Sequence, residues 1–280
     1  MSRSKCTRRQ FVESVVLGAA GVVTASCRTA PESTSRNRPF TFVQLCDPQL
    51  GMGGYEHDLR TFRQAVAQIN TLKPDFVVVC GDLVHDANDQ SFADFREIRA
   101  TLEVPCYCAP GNHDVGGTPT RASLERYRQA IGQDYYAIEH KGCLFVIVNT
   151  QLWKSPMDGE SGKQDAWLEQ TVEDASRKGV QTFVVGHYPL FLAQPDEAEE
   201  YMNLPLTKRT ELLSLFDRCG VAAMLGGHVH RLVVNDYNGM QLVNGETTSK
   251  NFDTRPLGFR VWQVTDSRPF NHEFVGLEGV

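Results

Sequence analysis

The chain has 280 residues, 41% of them apolar, and carries a formal charge of -6. That is length enough for one large α/β domain or two small ones with a sizeable core, and no long single-sign run argues for nucleic-acid binding. The acidic balance gives a phosphate group no general attraction, so any affinity for phosphate has to come from local metal charge.

The first residues differ from the rest. Arg3, Lys5, Arg8 and Arg9 precede any acid, and residues 15–25 form a Gly/Ala-rich apolar run, followed by Ser26-Cys27 and a polar linker over 28–39. The run is too short to span a membrane and gives residues 1–27 the layout of a signal peptide. Thr7-Arg8-Arg9-Gln10-Phe11-Val12-Glu13 resembles a bacterial twin-arginine export signal, and Thr24-Ala25-Ser26-Cys27 is similar to a lipobox. The expectation is an exported protein, periplasmic or anchored to the membrane as a lipoprotein through Cys27. Eight cysteines in such a chain first suggest disulfides. Cys46, Cys80, Cys106, Cys108 and Cys143, however, sit in or beside apolar runs, where a free thiol behaves as a small buried hydrophobe. Export of an already folded chain is compatible with that.

Residues 40–46 are apolar and β-branched, which predicts a buried strand carrying Asp47-Pro48-Gln49 at its carboxyl end. Leu59, Phe62, Val66 and Ile69 recur at helical spacing over 57–72, and Lys73-Pro74 closes that helix. A second buried strand, 76–80, leads into Gly81-Asp82. Phe92, Phe95 and Ile98 mark a helix, and a strand over 104–109 runs into Gly111-Asn112-His113-Asp114. A helix over 122–131 and a strand over 144–148 follow, then a helix over 164–178 and a strand at 183–185 that leads into Gly186-His187. Residues 194–206 are acidic and proline-bearing, an expected surface loop able to overhang a site. A helix over 207–218 precedes a strand over 221–225 and Gly226-Gly227-His228-Val229-His230. The remaining strands, 232–237, 241–243, 259–264 and 272–275, lack intervening helices. Residues 40–280 therefore read as an α/β domain of two packed mixed sheets flanked by helices, an αββα sandwich with its functional groups at strand carboxyl ends.

Those ends carry donors suited to two divalent cations. Two cations in one pocket need a bridging carboxylate to offset their repulsion, and Asp82 is the candidate bridge. Asp47 and Gln49 would sit on one metal and Asn112 on the other, while His187, His228 and His230 supply imidazoles. In His228-Val229-His230 the i, i+2 spacing of an extended segment puts both rings on one side. The mixed nitrogen and oxygen set suits Mn, Fe or Zn. A lone Asp or His in such a turn is more often a cap or plain polar surface. Five such stations, each at a predicted strand end, argue for the metal site.

Together, Asp47-Pro48-Gln49, Gly81-Asp82, Gly111-Asn112-His113-Asp114, Gly186-His187 and Gly227-His228-Val229-His230 resemble the ordered motifs of the calcineurin-like metallophosphoesterases over roughly residues 40–265. Asp47-Pro48-Gln49-Leu50-Gly51, residues 111–120 and Pro189-Leu190-Phe191-Leu192 are similar to the branch whose animal members are called serine/threonine phosphatases. The resemblance implies a first metal on Asp47, Gln49, Asp82 and His230, and a second on Asp82, Asn112, His187 and His228. It implies in-line attack on a phosphate ester by a metal-bound hydroxide, with His113, oriented by the Asp114 carboxylate, as general acid to the leaving alkoxide, or as transition-state stabiliser where the leaving group is good.

Two departures stand out. Gln49 occupies a place where most members have His, and His85 falls where the related purple acid phosphatases carry a ligating Tyr, so His85 is expected either to stand in as a metal ligand or to sit just behind the ligands. The phosphate-gripping arginines of the protein phosphatases are also missing, with Arg121, Arg231 and Arg255 as loosely placed substitutes. The expected activity is a phosphomonoesterase, on phosphoprotein among other esters. A phosphodiesterase acting on a cyclic nucleotide or a phospholipid headgroup is the nearest alternative, and a non-catalytic binding module the more distant one.

Overall fold

A computed structural model describes residues 39–279; the segments expected to be the signal peptide, the lipobox with Cys27 and the linker up to residue 38 lie outside them. The elements run β1 (Phe40–Leu45), α1 (Tyr55–Leu72), β2 (Phe76–Cys80), α2 (Asp89–Arg99), β3 (Cys106–Ala109), α3 (Asn112–Val115), α4 (Arg121–Ala130), β4 (Tyr136–His140), β5 (Cys143–Ile147) and α5 (Gln151–Lys154). They continue with α6 (Glu160–Arg177), β6 (Gln181–Val185), α7 (Leu206–Cys219), β7 (Ala223–Gly226), β8 (Val233–Tyr237), β9 (Met240–Asn244), β10 (Gly258–Val264) and β11 (Asn271–Gly276).

β2 explains why so many strands read as unbroken apolar runs. All five of its residues are buried, because both faces of the sheet are covered. Val77 and Val79 pack outward against Phe62 and Phe95 of the helices, while Phe76, Val78 and Cys80 pack inward against the second sheet. The first sheet has order β11-β10-β1-β2-β3 and the second β4-β5-β6-β7-β9-β8, each mixing parallel and antiparallel pairs. Between them Phe42 stacks on Phe76 at 5.2 Å and meets Phe145 edge-on at 5.2 Å. Each such fully buried phenylalanine contributes roughly 1.5–3 kcal/mol relative to exposure. A third apolar cluster joins the second sheet to α6 and α7 through Leu168, Val172, Leu213 and Phe216. The result is the four-layer sandwich of two mixed sheets flanked by helices.

Buried Gln44 fixes how the sheets meet near the site. From β1 its amide donates to the carbonyls of Gly226 and Val243 in the second sheet, at 3.0 and 2.9 Å, and its oxygen accepts from Trp262 at 2.9 Å. The carboxyl ends of β1, β2 and β3 are thereby set opposite those of β6 and β7.

Several boundaries differ from the sequence reading. β3 starts after Pro105, which has no N–H to give the ladder. β4 is an edge strand with alternating, half-exposed residues, and α3 and α5 are single turns of four residues. The six cysteines among the described residues are all free. Among those residues no helix is long and apolar enough to cross a membrane.

Candidate metal centre

Each strand end contributes one station. Asp47 and Gln49 follow β1, Asp82 follows β2, Asn112 opens α3 after β3, His187 follows β6, and His228 and His230 follow β7. Ligand atoms of Asp47, Asp82 and His230 lie within 4.8 Å of one another, as do those of Asp82, His187 and His228, so the two groups share Asp82. Asn112 joins the second group, its Oδ1 3.1 Å from His187 Nε2. Gln49 joins the first, its Nε2 donating to Asp82 Oδ2 at 3.3 Å. The structure thus brings all seven candidate ligands to one buried spot.

Holding them there strains the backbone. Eight non-glycine residues have left-handed φ among those described, and five of them are Asp47, Gln49, Asp82, His228 and His230. Such conformations cost on the order of 1–3 kcal/mol each and persist where the surroundings over-determine them. Close approach also demands glycine around the centre, as at Gly111 and Gly227. A Cβ on Gly111 would lie 2.1 Å from Asp82 Oδ1, and one on Gly227 2.3 Å from Asp47 Oδ2.

The imidazoles are oriented from outside. His187 Nδ1 donates to the Cys80 carbonyl at 2.9 Å, His228 Nε2 to the Tyr201 carbonyl at 3.3 Å, and His230 Nδ1 to the Lys250 carbonyl at 2.6 Å. A carbonyl only accepts, so each outer nitrogen carries a proton and each inner one faces the other members of the cluster. His228 Nδ1 and His187 Nε2 face each other at 3.2 Å, with Asp82 Oδ2 3.3 Å from the latter. Carboxylates and ring nitrogens packed this closely favour positive charge among them, as a proton or as a cation.

The titration behaviour expresses the same demand. Burial alone would lower His187, but Asp82 and Asp47 outweigh it and push it up to about 10. Asp47, lifted by burial against the pull of His230 and His187, stands at about 6. Burial would raise Asp82 as well, yet the neighbouring histidines, His187 first, hold it well below the usual carboxylate range. His228 is pushed down to about 3 by burial and by His187, which keeps it neutral as a ligand must be. Gln49 Oε1 is buried without any hydrogen-bond partner, a free acceptor beside the first group. The donor set therefore fits two divalent cations, with oxygen and nitrogen donors on each.

One expected role is corrected. Asp114 does not orient His113. Its carboxylate is fully buried and accepts from the backbone N–H of Leu83, Val84 and Gly111, at 2.9, 3.2 and 2.8 Å, clamping the loop after β2 to the turn after β3. Burial, then Asp82, lifts it to about 8 against those three amides. The group that orients His113 is instead the His85 carbonyl, which accepts from Nδ1 at 2.8 Å and leaves Nε2 free. His85 itself belongs to neither ligand group; its ring stacks on His113 with centroids 4.6 Å apart. Of the three substitute arginines, Arg255 lies 3.7 Å from Glu246 and 3.5 Å from Asp253, Arg121 opens α4, and Arg231 lines a pocket beside His230.

Sequence reasoning missed Tyr201. The loop before α7 brings its hydroxyl 3.4 Å from Asn112 Nδ2 and its ring 5.1 Å from that of His228, so it touches two members of the second group. The only signal was an aromatic residue in a loop already expected to overhang the site.

Two groups of buried carboxylates and imidazoles sharing one aspartate, at the carboxyl ends of two packed sheets, define a dinuclear metal hydrolase. The pattern of the calcineurin-like phosphoesterases matches residues 40–232, and the chain belongs to that family of enzymes acting on phosphoric esters. The chain is 34% identical to the rat (Rattus norvegicus) serine/threonine-protein phosphatase CPPED1, over 86% of its own length and 85% of the relative's. It is 24% identical to the 3',5'-cyclic adenosine monophosphate phosphodiesterase CpdA of Escherichia coli, over 75% of this chain and 76% of that one. Among solved structures, a dimetal phosphatase from Danio rerio shares the fold with a TM-score of 0.67 at 14% identity, covering 85% of this chain and 96% of that one.

Proposed function

We propose that the protein hydrolyses phosphate monoesters at this centre, phosphoserine and phosphothreonine in proteins among them. The observation that carries the reading is the pair of ligand groups sharing Asp82 beside a half-buried His113 whose Nε2 is free. Mn, Fe or Zn bound there would supply an activated water at neutral pH and offset charge on the phosphoryl oxygens. The chain's own residues do the rest. The backbone N–H of His113 holds Asp82 Oδ1 at 2.9 Å, and the His85 carbonyl fixes the ring so that Nε2 can deliver a proton to the leaving alkoxide. The name of the rat relative supports the phosphoprotein substrate, and that of the E. coli relative supports a diester as the second reading.

Phosphate release from a nitrophenyl monoester and its bis-ester by metal-loaded protein separates the two, with the monoester expected to be faster. His113→Ala should cost about 10²–10⁴-fold in turnover on an alkyl phosphate, the usual range for a general acid, with metal content unchanged. Unchanged turnover at equal metal content would remove His113 from the mechanism. We also propose export of the folded chain, supported by Arg8-Arg9 and the apolar run over 15–25. Accumulation of an Arg8→Lys, Arg9→Lys chain in the cytoplasm is the expected result, and normal export of that chain the opposing one.

A further inference from the structure

Beside His230, four residues with no part in the proposed metal contacts line a pocket of about 200 Å³: Met202, Val229, Arg231 and Phe252. Each lies one step from the centre. Val229 separates His228 from His230, and Arg231 follows directly. Phe252 stacks on the His230 ring, with centroids 4.4 Å apart and planes 7° apart. Met202 follows Tyr201, whose carbonyl accepts from His228. The pocket therefore adjoins the His230 side of the centre, to which the Phe252 ring joins it.

Two features of this surface are unmatched among the described residues. Phe252 is 49% exposed although His230 covers one of its faces, which leaves the rest of an aromatic ring in water beside the centre. Arg231 is exposed and makes no hydrogen bond or ion pair among the described residues, whereas Arg255 faces both Glu246 and Asp253. A bare ring gains by covering itself with apolar surface, and a free guanidinium by pairing with a carboxylate or phosphate. The volume suits one ring-sized group better than a whole nucleotide.

We propose that this pocket is the subsite for the organic part of the ester, and that it selects leaving groups combining a compact apolar face with a negative charge outside the reacting phosphate. The proposal rests on the phosphoesterase reading of the metal centre and adds the substrate class. In a phosphopeptide the match would be an apolar side chain with an acid next to the phosphorylated residue; in a small ester it would be an aryl group bearing a carboxylate.

The test uses metal-loaded protein and phosphonates that cannot be hydrolysed: methylphosphonate, benzylphosphonate and 4-carboxybenzylphosphonate, titrated by calorimetry. Benzylphosphonate should bind roughly tenfold more tightly than methylphosphonate, the gain expected from burying part of a ring, and the carboxylate should tighten binding further. Phe252→Ala should bring the benzyl-to-methyl ratio close to one. Arg231→Gln should remove the carboxylate increment and keep the benzyl one. Equal affinity for all three, no binding of any, or preferences that survive both substitutions would overturn the subsite, with circular dichroism confirming that each variant is folded. Phosphate release from a small alkyl ester in the same preparations reads the centre separately. Release without any benzyl preference sinks the subsite alone, and a benzyl preference without release from any ester sinks the hydrolase reading alone.

Discussion

The two halves of the metal centre are supported unequally. In the second group every side chain is gripped from behind: His187 by the Cys80 carbonyl, His228 by the Tyr201 carbonyl, and Asn112 by the Tyr201 hydroxyl. Tyr201 in turn rides on a loop that is itself tied down. Fully buried Arg209 donates to the carbonyls of Pro195, Glu197 and Leu204, and Lys154 to those of Glu200 and Asn203. In the first group His230 has the Lys250 carbonyl and the Phe252 ring, but Gln49 offers a buried amide whose oxygen has no partner. An amide oxygen is also a weaker donor than the imidazole common at that place in the family. Orientation from outside is what turns a nearby donor into a strong ligand. We therefore expect a cation beside His187 and His228 to be held more tightly than one beside Gln49.

The largest expected effect erases the contrast. Asp82→Asn removes the carboxylate shared by both groups, so both cations should be lost together and turnover should fall below detection, as read by metal analysis and phosphate release. Retention of one cation per chain would mean that the two sites do not depend on a common bridge. A smaller change sharpens the contrast instead. Gln49→His should tighten the first site by roughly tenfold, the scale on which one better-placed contact changes metal affinity, with the second site unmoved. Two-site titration with Mn checks this, and an unaltered weaker constant would show that Gln49 is not what limits the first site.

The ligand stations were legible because each is a polar side chain at the end of an apolar run, and both the sandwich and the seven gathered residues follow from that pattern. What supports the stations was not legible. Cys80, Tyr201 and Lys250 hold histidines through backbone carbonyls, which every residue possesses, so no side-chain pattern marks them. Asp114 was misread for a related reason. Its place beside His113 in sequence suggested a pair, but α3 turns its carboxylate toward the amides of Leu83 and Val84 on the neighbouring loop. β4 escaped notice because an edge strand with half-exposed residues lacks an apolar run, and α3 and α5 are too short to show a helical period.

The smallest expected effect concerns the loop that carries Tyr201. Glu197 accepts from the backbone N–H of Leu192, Ala193 and Gln194 and from the side chain of Asn203, at 2.7 to 3.0 Å. Burial would raise its pKa, but those four donors outweigh it and hold the carboxyl at about 2. A carboxyl whose folded pKa lies below its unfolded value of about 4.3 stabilises the fold above that pH, and the contribution fades as pH falls toward 2. Glu197→Gln cannot accept all four bonds, so it should lower the melting temperature at pH 7 by a few degrees at most and flatten the decline in stability between pH 4.3 and 2. The loop holds His228 and Asn112 through Tyr201, so the same variant should weaken the second metal while leaving the first unchanged. Weakening of both sites alike would mean that Glu197 stabilises the whole fold, and that the second site owes nothing special to its loop.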